Sequence, residues 1–252
     1  MAPVSRLEID IRQKRFLPVG QARAHTALEN LSVTVPEQQF LCVSGPSGCG
    51  KTTLLNCIAG LDRDFEGRIA LSPVAGREHP VIGYVFQNPR LLPWRTVIEN
   101  IELVLPDHQG HADTVDKLLE AMGLAEFRHT FPGRLSLGME RRVALARAFA
   151  VQPDVLLMDE PFVSLDEPTA QRLRRLLVRT WQERPTTVVF VTHDLREAIQ
   201  LADRILLLSP PPGTVMADIP VTLVRAERSD RAAIEVFRTR LFREFPSLNG
   251  DL

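Results

Sequence analysis

Phe40-Leu41-Cys42-Val43 and Ser44, followed by Gly45-Pro46-Ser47-Gly48-Cys49-Gly50-Lys51-Thr52, is the stretch whose reading decides the fold. An unbroken apolar run suits a strand covered on both faces, as in a parallel sheet with helices on either side. The octapeptide fits G-x-x-x-x-G-K-[ST], and Leu54, Leu55, Ile58 and Leu61 after it are spaced as one buried helical face. Strand, glycine loop and helix therefore follow one another as a phosphate-binding loop requires. Glycines let the backbone wrap a phosphate and turn its N–H groups inward, and the helix N-terminus adds partial positive charge. Lys51 offers a mobile cation to the β- and γ-phosphates, and the Thr52 hydroxyl is a ligand for Mg2+. Cys49 reads as a small loop filler.

Outward from this stretch, Val155-Leu156-Leu157-Met158, Val188-Val189-Phe190-Val191 and Ile205-Leu206-Leu207-Leu208 are apolar at every position. Helical patterns lie between them: Leu173, Leu176 and Leu177 face one way, with Arg172, Arg174, Arg175 and Arg179 on the other flank. That arginine flank reads as a solvated face, with a nucleic-acid patch as the alternative. Alternating strands and helices make an α/β domain with a mainly parallel central sheet. Before residue 45 the pattern changes. Leu7, Ile9 and Ile11 alternate with Glu8, Asp10 and Arg12, and Leu31, Val33 and Val35 repeat the period, which predicts an antiparallel β-subdomain. Residues 106–134 are richer in His, Asp and Glu, with Leu118, Leu119, Met122 and Leu124 at helical spacing, and read as a helical insertion. Pro210-Pro211-Pro212-Gly213 is a turn that ends the sheet, and Ile234, Phe237 and Leu241 mark a C-terminal amphipathic helix.

Composition narrows the classes. The chain has 252 residues, 44% of them hydrophobic and 24% charged, which is ordinary for a globular protein and unlike a disordered one. A chain of this length buries roughly 70–75% of its unfolded surface without a disulfide or metal staple. Thirty Lys and Arg against 31 Asp and Glu leave a formal charge of −1, so no chain-wide nucleic-acid or anionic-lipid footprint is written. Cys42, Cys49 and Cys57 are odd in number and lack a CxxC pair, which argues against a disulfide framework or a zinc cluster and for a reducing compartment. No signal peptide is visible in MAPVSRLEIDIRQKRF, and no uncharged apolar run approaches the roughly 18 residues of a membrane span. A membrane role therefore needs a partner.

The second chemical feature is Asp159-Glu160, which ends the apolar run 155–158. A carboxylate at the C-terminal edge of a parallel strand is where a Mg2+-linked acid belongs, and the second acid can polarise an attacking water. The pair alone also suits the start of a surface loop. Val188–Val191 likewise ends in Thr192-His193-Asp194, where His193 reads as a sensor of the γ-phosphate.

Taken together these residues resemble one family, the ATP-binding subunits of ABC transporters. GPSGCGKTT at 45–53, Gln87 in VFQNPRLLPW, LSLGM at 135–139, LLMDEP at 156–161 with SLD at 164–166, and VTHD at 191–194 occur in the family's order over nearly the whole chain. The resemblance implies an ABC ATPase of the P-loop NTPase class: residues 1–228 as the ATPase domain, with a helical signature insertion at about 88–150, and 229–252 as a short helical extension. It implies ATP and Mg2+ as cofactors, and a homodimer with each nucleotide held by the phosphate loop of one subunit and the signature of the other. By the same carry-over, Gly45, Pro46, Ser47, Gly48, Cys49, Gly50, Lys51, Thr52 and Thr53 hold the phosphates. Thr52, Gln87 and Asp159 serve Mg2+, and Glu160, His193 and Gln87 are catalytic. Ser136 and Gly138 reach the nucleotide on the partner subunit, and Asp166 sits in the loop linking the two sites. The adenine-stacking aromatic corresponds to Phe16, ahead of a loop lengthened by LPVGQARAH.

One departure stands out. The usual signature is LSGGQ; here Leu137 and Met139 replace a glycine and the glutamine, so the Leu137 side chain restricts backbone approach and bears on turnover. Glu140-Arg141-Arg142 then reads as a helix start, with the acid favoured in the first turn.

Within the family, Asn88 to Val97 lines the groove that takes a helix of the membrane subunit, which makes Leu91, Leu92 and Trp94 an anchor for a permease. The alternative is that Leu92 and Trp94 pack into the helical insertion. The LLPWRTVIEN wording and the single C-terminal helix look most like importers of the nitrate, sulfonate and taurine group. The implied place is the cytoplasmic face of a bacterial inner membrane, peripheral to it, with an external solute-binding protein as an indirect partner and no nucleic acid. The rivals are a soluble non-transport ABC ATPase and a P-loop kinase.

Overall fold

The computed structural model describes residues 5–17, 24–73, 77, 79–105 and 111–245. The expected long loop after Phe16 therefore falls largely outside the described residues, at 18–23, as do 106–110 of the helical segment and 246–252 of the C-terminal extension. The chain begins with β1 (Ser5–Phe16), β2 (His25–Pro36), β3 (Phe40–Ser44), α1 (Lys51–Ile58), β4 (Glu66–Leu71) and β5 (Ile82–Val85). Next come α2 (Val97–Glu102), α3 (Ala112–Ala121), α4 (Leu137–Ala150), β6 (Val155–Asp159) and α5 (Glu167–Glu183). The last elements are β7 (Thr187–Val191), α6 (Leu195–Leu201), β8 (Arg204–Leu208), β9 (Val215–Pro220) and α7 (Arg231–Glu244). They fall into two compact units, Met1–Ala75 with Thr187–Leu252, and Gly76–Thr186.

The first unit holds two sheets. Strand β1 pairs antiparallel with both β2 and β4, with Ile9 opposite Val33 on one side and Ile69 on the other. Leu7, Ile9, Ile11, Leu31, Val33 and Val35 are buried while the residues between them face water, as the alternation predicts. The sequence reading missed β4, whose residues are exposed or half-buried and carry no clear period. In the second sheet, β3 lies parallel between β7 and β8, and every residue of β3 and β7 is buried. This is the doubly covered environment that the apolar runs require.

Two expectations in this unit need correction. Pro210 to Gly213 does not end the sheet: it turns the chain into β9, which pairs antiparallel with β8, Ile205 opposite Ile219. The prolines sit in the turn outside the ladder, and Ser209 closes its mouth by donating its N–H to the Thr214 carbonyl and accepting the Thr214 N–H at Oγ. Leu61 is not on the buried face of α1. The helix stops at Ile58, and Gly60, at φ 69°, lets the Leu61 N–H return to the Asn56 carbonyl, which leaves the Leu61 side chain 63% exposed. That is a glycine-terminated helix end with its orphan carbonyls satisfied.

In the second unit β5 and β6 run parallel, Val85 opposite Met158. Helix α4 starts at Leu137, ahead of the expected Glu140, because the Ser136 hydroxyl accepts the Met139 N–H and caps it. Along α5, Leu173 and Leu177 are buried, and Arg172, Arg175 and Arg179 are exposed as expected. Arg174 departs from that flank: it is buried, with Nη2 2.6 Å from Glu167 Oε1 and its guanidinium over the Phe162 ring. The long stem lets the charge double back to an acid at the helix start. Ile234, Phe237 and Leu241 are the buried face of α7 in the first unit.

Candidate functional site

In the first unit the glycine-rich loop leaves β3 and enters α1. Gly48 has φ 78°, and a Cβ there would project into open space with nothing within 4 Å, so the loop at this point is an uncovered rim. Gly50 caps α1 at φ 98°, and a Cβ there would meet Leu28 Cδ2 at 2.6 Å and the Ala27 carbonyl at 2.9 Å. The conformation and the close packing of β2 both require glycine. Behind the loop, Gly213 of the proline-rich turn donates to the Ala27 carbonyl, and a side chain there would strike the Cys49 carbonyl. The turn thus buttresses the loop, a role its sequence does not announce.

Lys51 is 7% exposed, and its ammonium donates to the Gly45 carbonyl at 2.7 Å and the Pro46 carbonyl at 2.9 Å. Among the described residues no carboxylate pairs with it, and the first turn of α1 contains no acid. A buried cation and a helix N-terminus therefore meet at an open rim without a protein counter-charge, which suits an anion. Thr52 is exposed and Thr53 half-buried. Burial pushes the Cys49 and Cys42 thiols up, so neither is a ready thiolate.

His193 follows β7, exposed, where the Thr192 N–H reaches the Val43 carbonyl of β3. The next residue, Asp194, caps α6 through the Arg196 N–H. At the end of β1, Phe16 is 36% exposed, and its ring stacks on His25 with centroids 5.1 Å apart.

In the second unit Asp159 is the buried last residue of β6, and Glu160 follows in the left-handed region at φ 43°. Gln87, just past β5, donates its amide Nε2 to Glu160 Oε2 at 3.3 Å, so two of the expected catalytic residues meet. That contact turns the amide oxygen away from the carboxylate. Tyr84 and Phe86 stack with centroids 4.0 Å apart, and the Arg90 guanidinium covers Phe86. Burial, then the Asp159 charge, push the Tyr84 hydroxyl well above its ordinary range, so it remains a neutral phenol.

Three arginines of α4 hold the loops around these groups. Arg141, buried, donates to the carbonyls of Glu160 at 3.3 Å and Val163 at 3.0 Å. Arg142 donates to the Met122 carbonyl at 2.9 Å, and Arg147 to those of Pro89 and Arg90 at 2.7 and 3.0 Å. Burial lowers the pKa of all three, the cost of placing guanidinium groups among carbonyls. The sequence reading missed them because carbonyl acceptors carry no residue identity; a pair of arginines inside an otherwise apolar helix was the available signal.

Ser136 serves as the α4 cap, and Gly138 packs where a Cβ would meet Thr169 Cγ2 at 2.8 Å. Asp166 caps α5 through the Thr169 N–H, and the Thr169 hydrogen bonds hold its carboxyl below the usual range. Trp94 is 70% exposed, whereas Leu91 and Leu92 are half-buried. Asn100, fully buried, braces this segment: its Oδ1 accepts the Leu92 N–H and its Nδ2 donates to the carbonyls of Leu92, Arg95 and Thr96.

Residues 28–163 match the family model described as ABC transporter. The chain belongs to the ABC transporter family. Curated relatives of this ABC protein include an aliphatic sulfonates import ATP-binding protein of Burkholderia lata, 40% identical over 224 residues, covering 88% of this chain and 82% of that protein. Its counterpart in Bacillus licheniformis is 40% identical over 245 residues, covering 95% and 94%. Among solved structures, a dimeric bacterial ABC transporter cassette matches with TM-score 0.74 at 30% identity, over 86% of this chain and all of that one. A dimeric post-hydrolysis state of an ATP-binding cassette bound to ADP and Pi matches with TM-score 0.71 at 31% identity and the same coverage. The matched span of the ABC model takes in the phosphate loop, Gln87, Ser136 to Gly138 and Asp159-Glu160; Phe16, Asp166 and His193 lie outside it.

Proposed function

We propose that this chain hydrolyses ATP to ADP and phosphate as the energising subunit of an importer, paired with a separate membrane permease. The observation that carries the nucleotide reading is Lys51, a buried ammonium held by two loop carbonyls and the Cys49 sulfur at a helix start without acids. Loop carbonyls are easily exchanged for phosphate oxygens, because lysine carries a point charge on a flexible stem. Phosphoryl transfer asks little covalent chemistry of a protein and much positioning. Glu160 would align the attacking water and take up its proton, with Gln87 holding the Glu160 carboxylate in place. His193 would contact the γ-phosphate.

The donor set fits Mg2+: Thr52, Gln87 and Asp159 offer hydroxyl, amide and carboxylate oxygens, the hard ligands this ion takes alongside phosphates. Mg2+ would neutralise charge on the transferring phosphoryl group. Ser136 and Gly138 would reach a nucleotide held by a second copy, with Asp166 in the linking loop. The names of the relatives, which say aliphatic sulfonates, support a sulfonate as the solute. Among the described residues no helix is long and apolar enough to cross a membrane, so attachment at the cytoplasmic face would run through the permease, with Trp94 as its anchor.

The test is the mass of Glu160→Gln with and without Mg-ATP, beside the turnover of the native chain. A stable dimer in ATP and loss of hydrolysis in the variant are expected. A variant that stays monomeric at saturating ATP, together with a native chain that releases no phosphate even with its permease, overturns the proposal.

A further inference from the structure

Within the second unit, α3 buries Val115 and Leu119, with Met122 just after it, while Leu118 stays half-buried. Leu118 lines a cavity of about 180 Å3 between α3 and the C-terminal ends of α4 and α5. Ala121, Phe149 and Pro153 make up the rest of its apolar wall. Polar atoms beside that wall are already engaged: Thr186 donates its hydroxyl to the Pro153 carbonyl at 2.8 Å, and Trp181 donates Nε1 to the Thr186 carbonyl at 2.7 Å. An apolar cavity of roughly 150 Å3 holds a benzene-sized molecule, so this one has room for a short alkyl chain.

Charge is confined to the rim. Lys117, Glu183 and Arg184 share the lining and are exposed, which gives the rim one more positive than negative charge. Neither Lys117 nor Arg184 forms an ion pair among the described residues. Asp154, next to Pro153 in the chain, is held by Arg77 at 2.9 Å and adds no free acid. We infer that this cavity binds a short aliphatic oxyanion: the chain lies against Leu118, Ala121, Phe149 and Pro153, and the anionic head meets Lys117 and Arg184 at the rim. An alkyl sulfonate and an alkyl carboxylate share that chemistry. The site goes beyond the nucleotide reading above and does not rest on it, since none of its residues belongs to the glycine-rich loop or to the carboxylates proposed for hydrolysis.

The experiment is calorimetric titration of the full chain with hexanesulfonate, hexanoate, ethanesulfonate and hexylammonium. At least one of the two six-carbon anions should bind at a single site, and the tighter of them tells whether the ligand is a sulfonate or a carboxylate. Ethanesulfonate, with the head and little chain, should bind more than about tenfold more weakly than hexanesulfonate or not at all, since each buried methylene is worth roughly fourfold in affinity. Hexylammonium, the head that Glu183 and the carbonyl ends of α4 and α5 favour, should not bind. Lys117→Glu combined with Arg184→Glu should weaken the anion at least about tenfold, the scale of one charged hydrogen bond. Ala121→Phe, which fills the cavity, should abolish binding, and both variants should keep native ATP affinity. Failure of both six-carbon anions to bind the native chain overturns the inference, as does equal binding of hexylammonium or native-level binding in either folded variant. Lys51→Ala should bind the anion as the native chain does; loss there would place the anion on the glycine-rich loop and overturn the inference while leaving the nucleotide reading intact.

Discussion

Lys51 and Arg141 are both buried cations whose hydrogen bonds run to backbone carbonyls, and the difference between them separates binding from scaffolding. Arg141 spans two carbonyls of one tight loop, Glu160 at φ 43° and Val163, with a planar group whose loss would leave the Val163 carbonyl without its donor, while the Glu160 carbonyl keeps the Val163 N–H. Arg141→Lys should cost about 1–3 kcal/mol, the scale of one polar group left unsatisfied. It should also cut hydrolysis while leaving ATP affinity in place, because Glu160 loses its backbone anchor; equal losses in binding and turnover would argue against that role. Lys51→Ala should act oppositely and weaken ATP at least tenfold, from the roughly 1.5–3 kcal/mol of a charged hydrogen bond. A third residue gives a pH test. Burial, with Asp62 adding to it, raises the Cys57 thiol to about 11, above an unfolded value near 8.5. Its contribution to stability is therefore complete below pH 8.5 and lost as pH rises toward 11. Urea midpoints measured at pH 7 and pH 10 should fall less in Cys57→Ala than in the native chain.

At the level of elements, α4 and α5 show why a signature glycine has more than one reason to exist. Gly138 sits in the first turn of α4, where a methyl group would come 2.8 Å from Thr169 Cγ2, closer than two such carbons pack. Gly138→Ala should destabilise the chain by about 1–3 kcal/mol through overpacking, and most of that loss should vanish in a Thr169→Ser background. Equal losses in both backgrounds would place the strain elsewhere. Strands with strong patterns were legible in the sequence: β3, β6, β7 and β8 as unbroken apolar runs, β1 and β2 by their alternation. Strand β4 was not, because none of its residues is buried deeply enough to impose a period. Glu140 does lie in the first turn of α4, as the sequence suggests, and the helix begins three residues earlier because the Ser136 hydroxyl caps it. Gly60 carried the true end of α1, but Leu61 beyond it kept the apolar spacing and hid that end.

For the molecule as a whole, the proposed chemistry is written in local patterns and its structural support is not. A phosphate loop, two acids and a histidine after apolar runs are local patterns, each readable within a few residues. Arg141 and Arg147 act on carbonyls remote in sequence and Asn100 on carbonyls four to eight residues before it, and any residue can supply a carbonyl. Asn100 is the clearest case: four hydrogen bonds from one buried amide fix the segment from Leu92 to Thr96 and leave Trp94 exposed on it. The large ring displayed on this braced segment is the contact we propose for the permease. Trp94→Ser removes the ring and little else, so stability should change by less than about 0.5 kcal/mol, as for most surface substitutions, and the turnover of the isolated chain should stay at the native level. Co-purification with the permease should be lost. Asn100→Ala should lose the permease too, but through the segment rather than the ring, with a stability loss of about 1–3 kcal/mol from unsatisfied polar groups. If Trp94→Ser retains the permease at native stoichiometry, the grip lies elsewhere on the chain and the bracing by Asn100 serves only the fold.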